Sequence, residues 1–346
     1  MIPENPSSVQ RLLPISEVAS SWNEQLQQML TTLAELQDYL MLKDPPAALD
    51  DAIKLDFPVR TTRFFADLMQ PGDWHDPLLR QVLPWGVERE RTPGFGLDPL
   101  AELKATPTPG LIHKYGNRAL VLPTSSCAIH CRYCFRRHFP YAEHRLSIND
   151  KKALLSYLDQ KQQINEVILS GGDPLMLSDH QLTLWLQDLA NLTHIKRLRI
   201  HSRLPIVLPD RLTDSLLNTL THSRLQIILV LHANHPREIS MPLQQRLKSW
   251  QSAGITLLNQ SVLLGGVNDD PEVLAALSES LFEAGILPYY LHLLDPVQGA
   301  AHFDVPEPKA QHIHRELQRL CPGFLVPRLV REEPGEVSKT WRNESA

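Results

Sequence analysis

An open, TIM-like (β/α)6 barrel preceded by an N-terminal helical region is the fold class this chain predicts. Two patterns carry that expectation. From about residue 106, short apolar runs alternate with longer amphipathic stretches, the form that β/α units around a parallel sheet take in sequence. Before it, apolar residues recur at helical spacing and then give way to proline-rich sequence. The runs at 119–122, 167–169, 197–200, 226–231, 256–259 and 289–293 read as strands. They are too few to close a standard barrel.

Taken in order, Trp22, Leu26, Met29, Leu33, Leu36 and Leu40 predict one amphipathic helix over about 18–41, stopped by Pro45 and Pro46. Pro58, Pro71, Pro77, Pro84, Pro93, Pro99 and Pro107 then permit only short helices and ordered loops. Residues 1–105 are therefore expected to form an accessory helical region, 106–325 the partial barrel and 326–346 a C-terminal segment. Between the strands, helical patterns occupy 178–190, 210–221, 238–252 and 271–284. In the third strand Leu198 and Ile200 share one face and Arg197, Arg199 and His201 the other. Cationic groups would enter the lumen if the apolar face meets helices; a solvated edge strand gives the same alternation.

In a parallel barrel the site lies at the C-terminal ends of the strands, so the loops there are the candidates. The first follows residue 122 and holds Cys127-Ala128-Ile129-His130-Cys131-Arg132-Tyr133-Cys134, three of the chain's four cysteines; the fourth is Cys321. Three thiolates on one loop can hold three corners of a cubane cluster and leave one iron without a protein ligand. The spacings also fall within the range of structural zinc sites, with His130 or His138 as fourth ligand. The chain offers no second cysteine pair, which favours iron-sulfur. The loop after the second strand is Ser170-Gly171-Gly172-Asp173-Pro174.

With 346 residues, 42% hydrophobic and 21% charged, the chain can bury a large core. A formal net charge of -5 gives no general attraction to nucleic acid. The N-terminus lacks a secretory pattern, and no apolar stretch approaches the roughly 18 residues of a membrane span. These features predict a cytoplasmic protein, without disulfides, that binds neither nucleic acid nor membrane.

The C-x3-C-x2-C loop with Tyr133 before its third cysteine resembles the radical S-adenosylmethionine superfamily. Together with Ser170-Gly171-Gly172-Asp173-Pro174, the segment from Pro334 to Thr340 and the stretches 76–82, 232–236, 259–264, 267–269 and 288–290, it resembles the lysine 2,3-aminomutase family over about residues 70–340. The resemblance implies a 4Fe-4S cluster on Cys127, Cys131 and Cys134, and S-adenosylmethionine at Ser170, Gly171, Gly172, Asp173, His232 and Gln260. It further implies pyridoxal 5'-phosphate on Lys339, with Lys114, Tyr115 and Arg118 on its phosphate side. Arg136 matches the family's substrate-carboxylate arginine and Asp295 one of its two ammonium-binding aspartates. Glu332 takes the place of the second, one methylene longer, with Glu333 beside it, and Lys114 stands where arginine is common. The implied reaction is a radical 1,2-amino shift from L-lysine to (R)-β-lysine, dependent on an electron donor. The short tail resembles the branch whose product modifies elongation factor P through a lysyl-ligase. An aminomutase for another amino acid stays open, as do a non-catalytic zinc or iron-sulfur scaffold and a homo-oligomeric state.

Overall fold

Short apolar runs can bury both faces only inside a sheet flanked by helices. The computed structural model, which describes residues 21–46, 49, 57–141 and 146–342, joins them in one nine-stranded sheet whose spatial order follows the chain. β1 (Leu111–Tyr115) pairs antiparallel with β2 (Arg118–Thr124). From β2, the strands β3 (Glu166–Gly171), β4 (Arg197–Ser202), β5 (Gln226–Leu231), β6 (Thr256–Val262), β7 (Leu287–His292) and β8 (Arg328–Arg331) run parallel. β9 (Thr340–Trp341) adds an antiparallel edge to β8. β1 and β9 are the two ends and do not pair, so the barrel is open. The six expected strands correspond to β2 through β7. β1, β8 and β9 extend the sheet beyond them.

The helices are α1 (Trp22–Gln27), α2 (Leu33–Tyr39), α3 (Arg63–Asp67), α4 (Pro77–Arg80), α5 (Ile148–Gln160), α6 (Asp179–Asn191), α7 (Leu204–Val207), α8 (Asp214–Thr221), α9 (Met241–Ser252), α10 (Pro271–Glu283) and α11 (Glu307–Leu320). The single helix expected over 18–41 is corrected to two; its start, before residue 21, lies outside the described residues. Ser21 and Thr32 each form a reciprocal capping box, with Glu24 and Glu35 respectively, so the second box starts a new helix. Between the two helices Leu30 leaves helical geometry and bridges to Thr61. The apolar period survives the break because Leu36 and Leu40 are buried while Trp22, Leu26, Met29 and Leu33 pack half-buried against the same core.

Leu198 and Ile200 of β4 are fully buried in the same core as Leu182 of α6 and Leu216 of α8, whereas Arg197, Arg199 and His201 line the central cavity. β4 lies between β3 and β5, so its alternation belongs to a lumen wall and not to a solvated edge. Leu36, Phe65, Leu78 and Leu79 of the N-terminal region join that core too. Each such side chain contributes about 1.5–3 kcal/mol of burial. Among the described residues no helix is long and apolar enough to cross a membrane.

Candidate functional site

The cysteine loop leaves β2 as an irregular turn whose shape is set from outside the barrel. His130 N–H donates to the Arg60 carbonyl at 2.9 Å and Arg132 N–H to the Gln81 carbonyl at 2.9 Å. Arg132 is completely buried; its Nε donates to Glu88 Oε1 at 2.9 Å and its Nη1 to the Phe57 carbonyl at 2.7 Å. Arg137 also reaches Glu88, at 2.7 Å. A buried charge persists only when paired and hydrogen-bonded in this way. The two candidate zinc histidines are engaged elsewhere: His130 Nδ1 lies 2.9 Å from the Pro58 carbonyl, and His138 Nε2 lies 3.0 Å from that of Gln298.

Cys127, Cys131 and Cys134 are all free and all line the same cavity. Burial pushes the Cys127 thiol well up, and burial followed by the charge of Cys131 brings Cys134 to about 11. A bound metal would supply the positive charge that keeps such thiols ionised. Arg203 Nη1 donates to Cys131 Sγ at 2.8 Å, placing a guanidinium directly against the loop. This donor set fits a cluster held by three cysteines.

The Ser170 to Asp173 loop packs directly on the cysteine loop. Gly172 N–H donates to the Thr124 carbonyl at 3.0 Å and Asp173 N–H to the Ser126 carbonyl at 2.8 Å. A Cβ on Gly172 would fall 2.6 Å from Ser125 C and Ser126 O, so glycine is required there by protein backbone. Gly171 sits at φ +107°, where side chains are strained. The Asp173 carboxylate is taken up by Leu175 N–H, Ser202 Oγ, Arg203 N–H and Leu204 N–H at 2.7–3.0 Å. Its side chain thus ties β3's loop to the end of β4.

His232 is fixed as a neutral ring. Its Nδ1 donates to the Gln260 carbonyl at 3.0 Å, which leaves Nε2 to accept from Tyr133 Oη at 2.8 Å. Burial, then the nearby Arg203, brings its pKa down to about 3. Gln260 Nε2 donates to His201 Nδ1 at 3.3 Å.

At the other side of the cavity lies a ladder of alternating charge. Glu102 grips Arg136, accepting from Nε at 2.7 Å and from Nη2 at 2.8 Å. Glu102 Oε1 is also 3.7 Å from Lys114 Nζ. Glu332 accepts from Lys114 Nζ at 2.8 Å and Lys339 Nζ at 2.5 Å. Burial would raise the Glu332 carboxyl, but Lys339 and Lys114 more than offset it and hold it well below the usual carboxylate range. Glu333 is spent outside, on Thr340 Oγ1 at 2.7 Å and on Arg342. Asp295 differs from both: its Oδ1 is shielded from solvent and has no hydrogen-bond partner, and burial followed by the charge of Glu332 pushes its carboxyl to about 7. Arg118 packs over the Tyr115 ring at 4.0 Å, and Lys339 Nζ lies 5.9 Å from the Tyr290 ring.

Apart from His138 and Glu333, the candidates from the sequence line one cavity of about 700 Å³: Cys127, Cys131, Cys134, Ser170, Gly171, Gly172, Asp173, His232, Gln260, Lys114, Tyr115, Arg118, Arg136, Asp295, Glu332 and Lys339. Sequence reasoning missed Glu102 and Arg203, which partner Arg136 and Cys131, and His292 of β7. His201 and His292 both carry a shielded Nε2 without a partner. No local pattern marks these residues, apart from the alternation that placed His201 in the lumen.

Comparison with known proteins fits this geometry. A family model described as the radical SAM superfamily matches residues 121–277, a family that implies a 4Fe-4S cluster and S-adenosylmethionine. A protein named L-lysine 2,3-aminomutase from Escherichia coli (strain K12) is 50% identical, covering 92% of this chain and 93% of its own length. Its namesake from Haemophilus influenzae is 43% identical, covering 94% and 97%. The crystal structure of Streptococcus suis SuiB bound to S-adenosylmethionine aligns with a TM-score of 0.45 at 16% identity, covering 67% of this chain and 53% of that one. Near-complete coverage at half identity, over a cavity that holds the three cysteines and the terminal lysine together, makes this chain a member of the L-lysine 2,3-aminomutase family, isomerases of the radical SAM superfamily.

Proposed function

We propose that this enzyme converts L-lysine to (R)-β-lysine by a radical 1,2-amino shift, and that the product serves to modify elongation factor P. Cys127, Cys131 and Cys134 would hold the cluster, and Ser170, Gly171, Gly172, Asp173, His232 and Gln260 the S-adenosylmethionine. Lys339 would hold pyridoxal 5'-phosphate, with Lys114, Tyr115 and Arg118 toward its phosphate. When bound, the cluster and S-adenosylmethionine supply a radical able to take an unactivated hydrogen, and pyridoxal 5'-phosphate carries the migrating nitrogen.

The protein's own part is alignment. Arg136 offers a planar fork suited to the substrate's α-carboxylate. Asp295 and Glu332 suit its terminal ammonium, whereas a substrate ending in a carboxylate would meet two like charges. The observation that supports this most is Asp295: a shielded carboxylate oxygen with no partner answers a cation the chain itself does not supply. Anaerobic reconstitution followed by chiral analysis should detect (R)-β-lysine from L-lysine. Fully loaded protein that never forms β-lysine would refute the reading. For the elongation factor link, cells lacking this enzyme should carry elongation factor P without the β-lysyl mass.

A further inference from the structure

Arg136, assigned above to the substrate carboxylate, does not stand loose in the cavity. Glu102 holds it along one side of the guanidinium, through Nε at 2.7 Å and Nη2 at 2.8 Å, while Nη1 donates to Ser170 Oγ at 3.1 Å. Both side chains are only 5% exposed. A guanidinium has donors on its side edge and on its end. Glu102 takes the side edge and Ser170 one hydrogen of Nη1, which leaves one further hydrogen on each of Nη1 and Nη2 for a ligand.

Glu102 is itself held in place. Asp98 accepts from its N–H at 2.9 Å and from that of Leu103 at 3.3 Å, fixing the short turn Glu102–Ala105. The carboxylate also faces Lys114 Nζ at 3.7 Å, so it screens two cations that would otherwise repel each other inside the cavity.

We propose that Glu102 is a positioning residue for the substrate-carboxylate site. It clamps Arg136 so that the end of the fork faces the cavity in one orientation, which avoids the rotamer entropy a free arginine loses on binding. It also offsets part of the charge, so that the site suits a single carboxylate. This inference rests on the proposed role of Arg136.

The test compares L-lysine with L-lysinamide, which keeps both amines and lacks the carboxylate. Dissociation constants are measured calorimetrically on protein reconstituted anaerobically, with S-adenosylmethionine omitted so that no turnover occurs. Glu102→Gln should reduce the preference for lysine over lysinamide about tenfold, the scale of a charge-assisted hydrogen bond, with lysinamide affinity essentially unchanged. Glu102→Asp, which keeps the charge but shortens the reach, should fall between the two. If Arg136→Lys abolishes the preference while both Glu102 variants retain the parent ratio, the proposal is overturned and the role of Arg136 stands. If Arg136→Lys also leaves the ratio untouched, the assignment of Arg136 fails and the proposal with it. Should Glu102→Gln not fold, Glu102→Asp decides alone: an unchanged ratio overturns the proposal.

Discussion

Asp295→Asn is the substitution whose sign and size the structure states most directly. Asp295 is half-buried in the cavity wall, its Oδ1 is shielded from solvent and lacks a partner, and its pKa is raised from an ordinary 3.8 to about 7. A shift of roughly three units corresponds to about 4 kcal/mol at about 1.4 kcal/mol per unit. The sign follows from linkage. A group whose folded pKa is raised binds its proton more tightly when folded, so its stabilising contribution is full below pH 3.8 and lost as pH rises through about 7. Part of that contribution is already lost between pH 3.8 and pH 5, so cofactor-free protein should gain about 2.7 kcal/mol of stability to urea from this group at pH 5 relative to pH 8, the two units from pH 5 to about 7, and Asp295→Asn should remove that contribution. Lysine binding supplies the missing cation, so it should release protons near pH 6 in the parent and not in the variant. Calorimetry in buffers of different ionisation enthalpy reads that release. An equal stability gap between parent and variant at pH 5 and pH 8 would show that Asp295 is ionised throughout, and the argument from burial would fall.

Two further substitutions separate the parts of the site. Lys339→Ala should leave iron and sulfide content unchanged while abolishing the absorbance of lysine-bound pyridoxal 5'-phosphate; persistence of that absorbance identifies another lysine. Gly172→Ala places a Cβ 2.6 Å from the backbone of Ser125 and Ser126, so it should displace the cysteine loop and lower iron retention, with a stability loss of about 1–3 kcal/mol. Full iron occupancy in that variant would mean that the loops part without consequence.

The strands from β2 to β7 were legible because each is a compact apolar run between turns, and 226–231 coincides with β5 to the residue. β8 and β9 span four and two residues, too short for a period to register. α5 buries only Leu154 and Leu158, and α11 a narrow stripe of Ala310, Ile313, His314 and Leu317, so neither stands out from surface sequence. The capping boxes at Ser21 and Thr32 were present in the sequence, but the unbroken apolar period concealed the division they impose. In the site, the cysteines stood out by their spacing, whereas Lys339 was singled out by the family resemblance alone; the fold brings all four residues to one cavity. Glu102 and Arg203 were not legible, since their partners lie 34 and 72 residues away along the chain and only folding brings them together.

The cysteine loop is braced by Arg60, Gln81, Phe57 and Glu88, every one of them upstream of the first strand. The matched superfamily segment, 121–277, contains the thiols but none of this bracing. A barrel excised at its own sheet boundary would therefore keep the contacts from the Ser170–Asp173 loop and Arg203 but present its cysteines on a turn stripped of this outer bracing, above an uncovered apolar wall. Engineers seeking a minimal radical scaffold from this enzyme would have to bring the preceding collar with it.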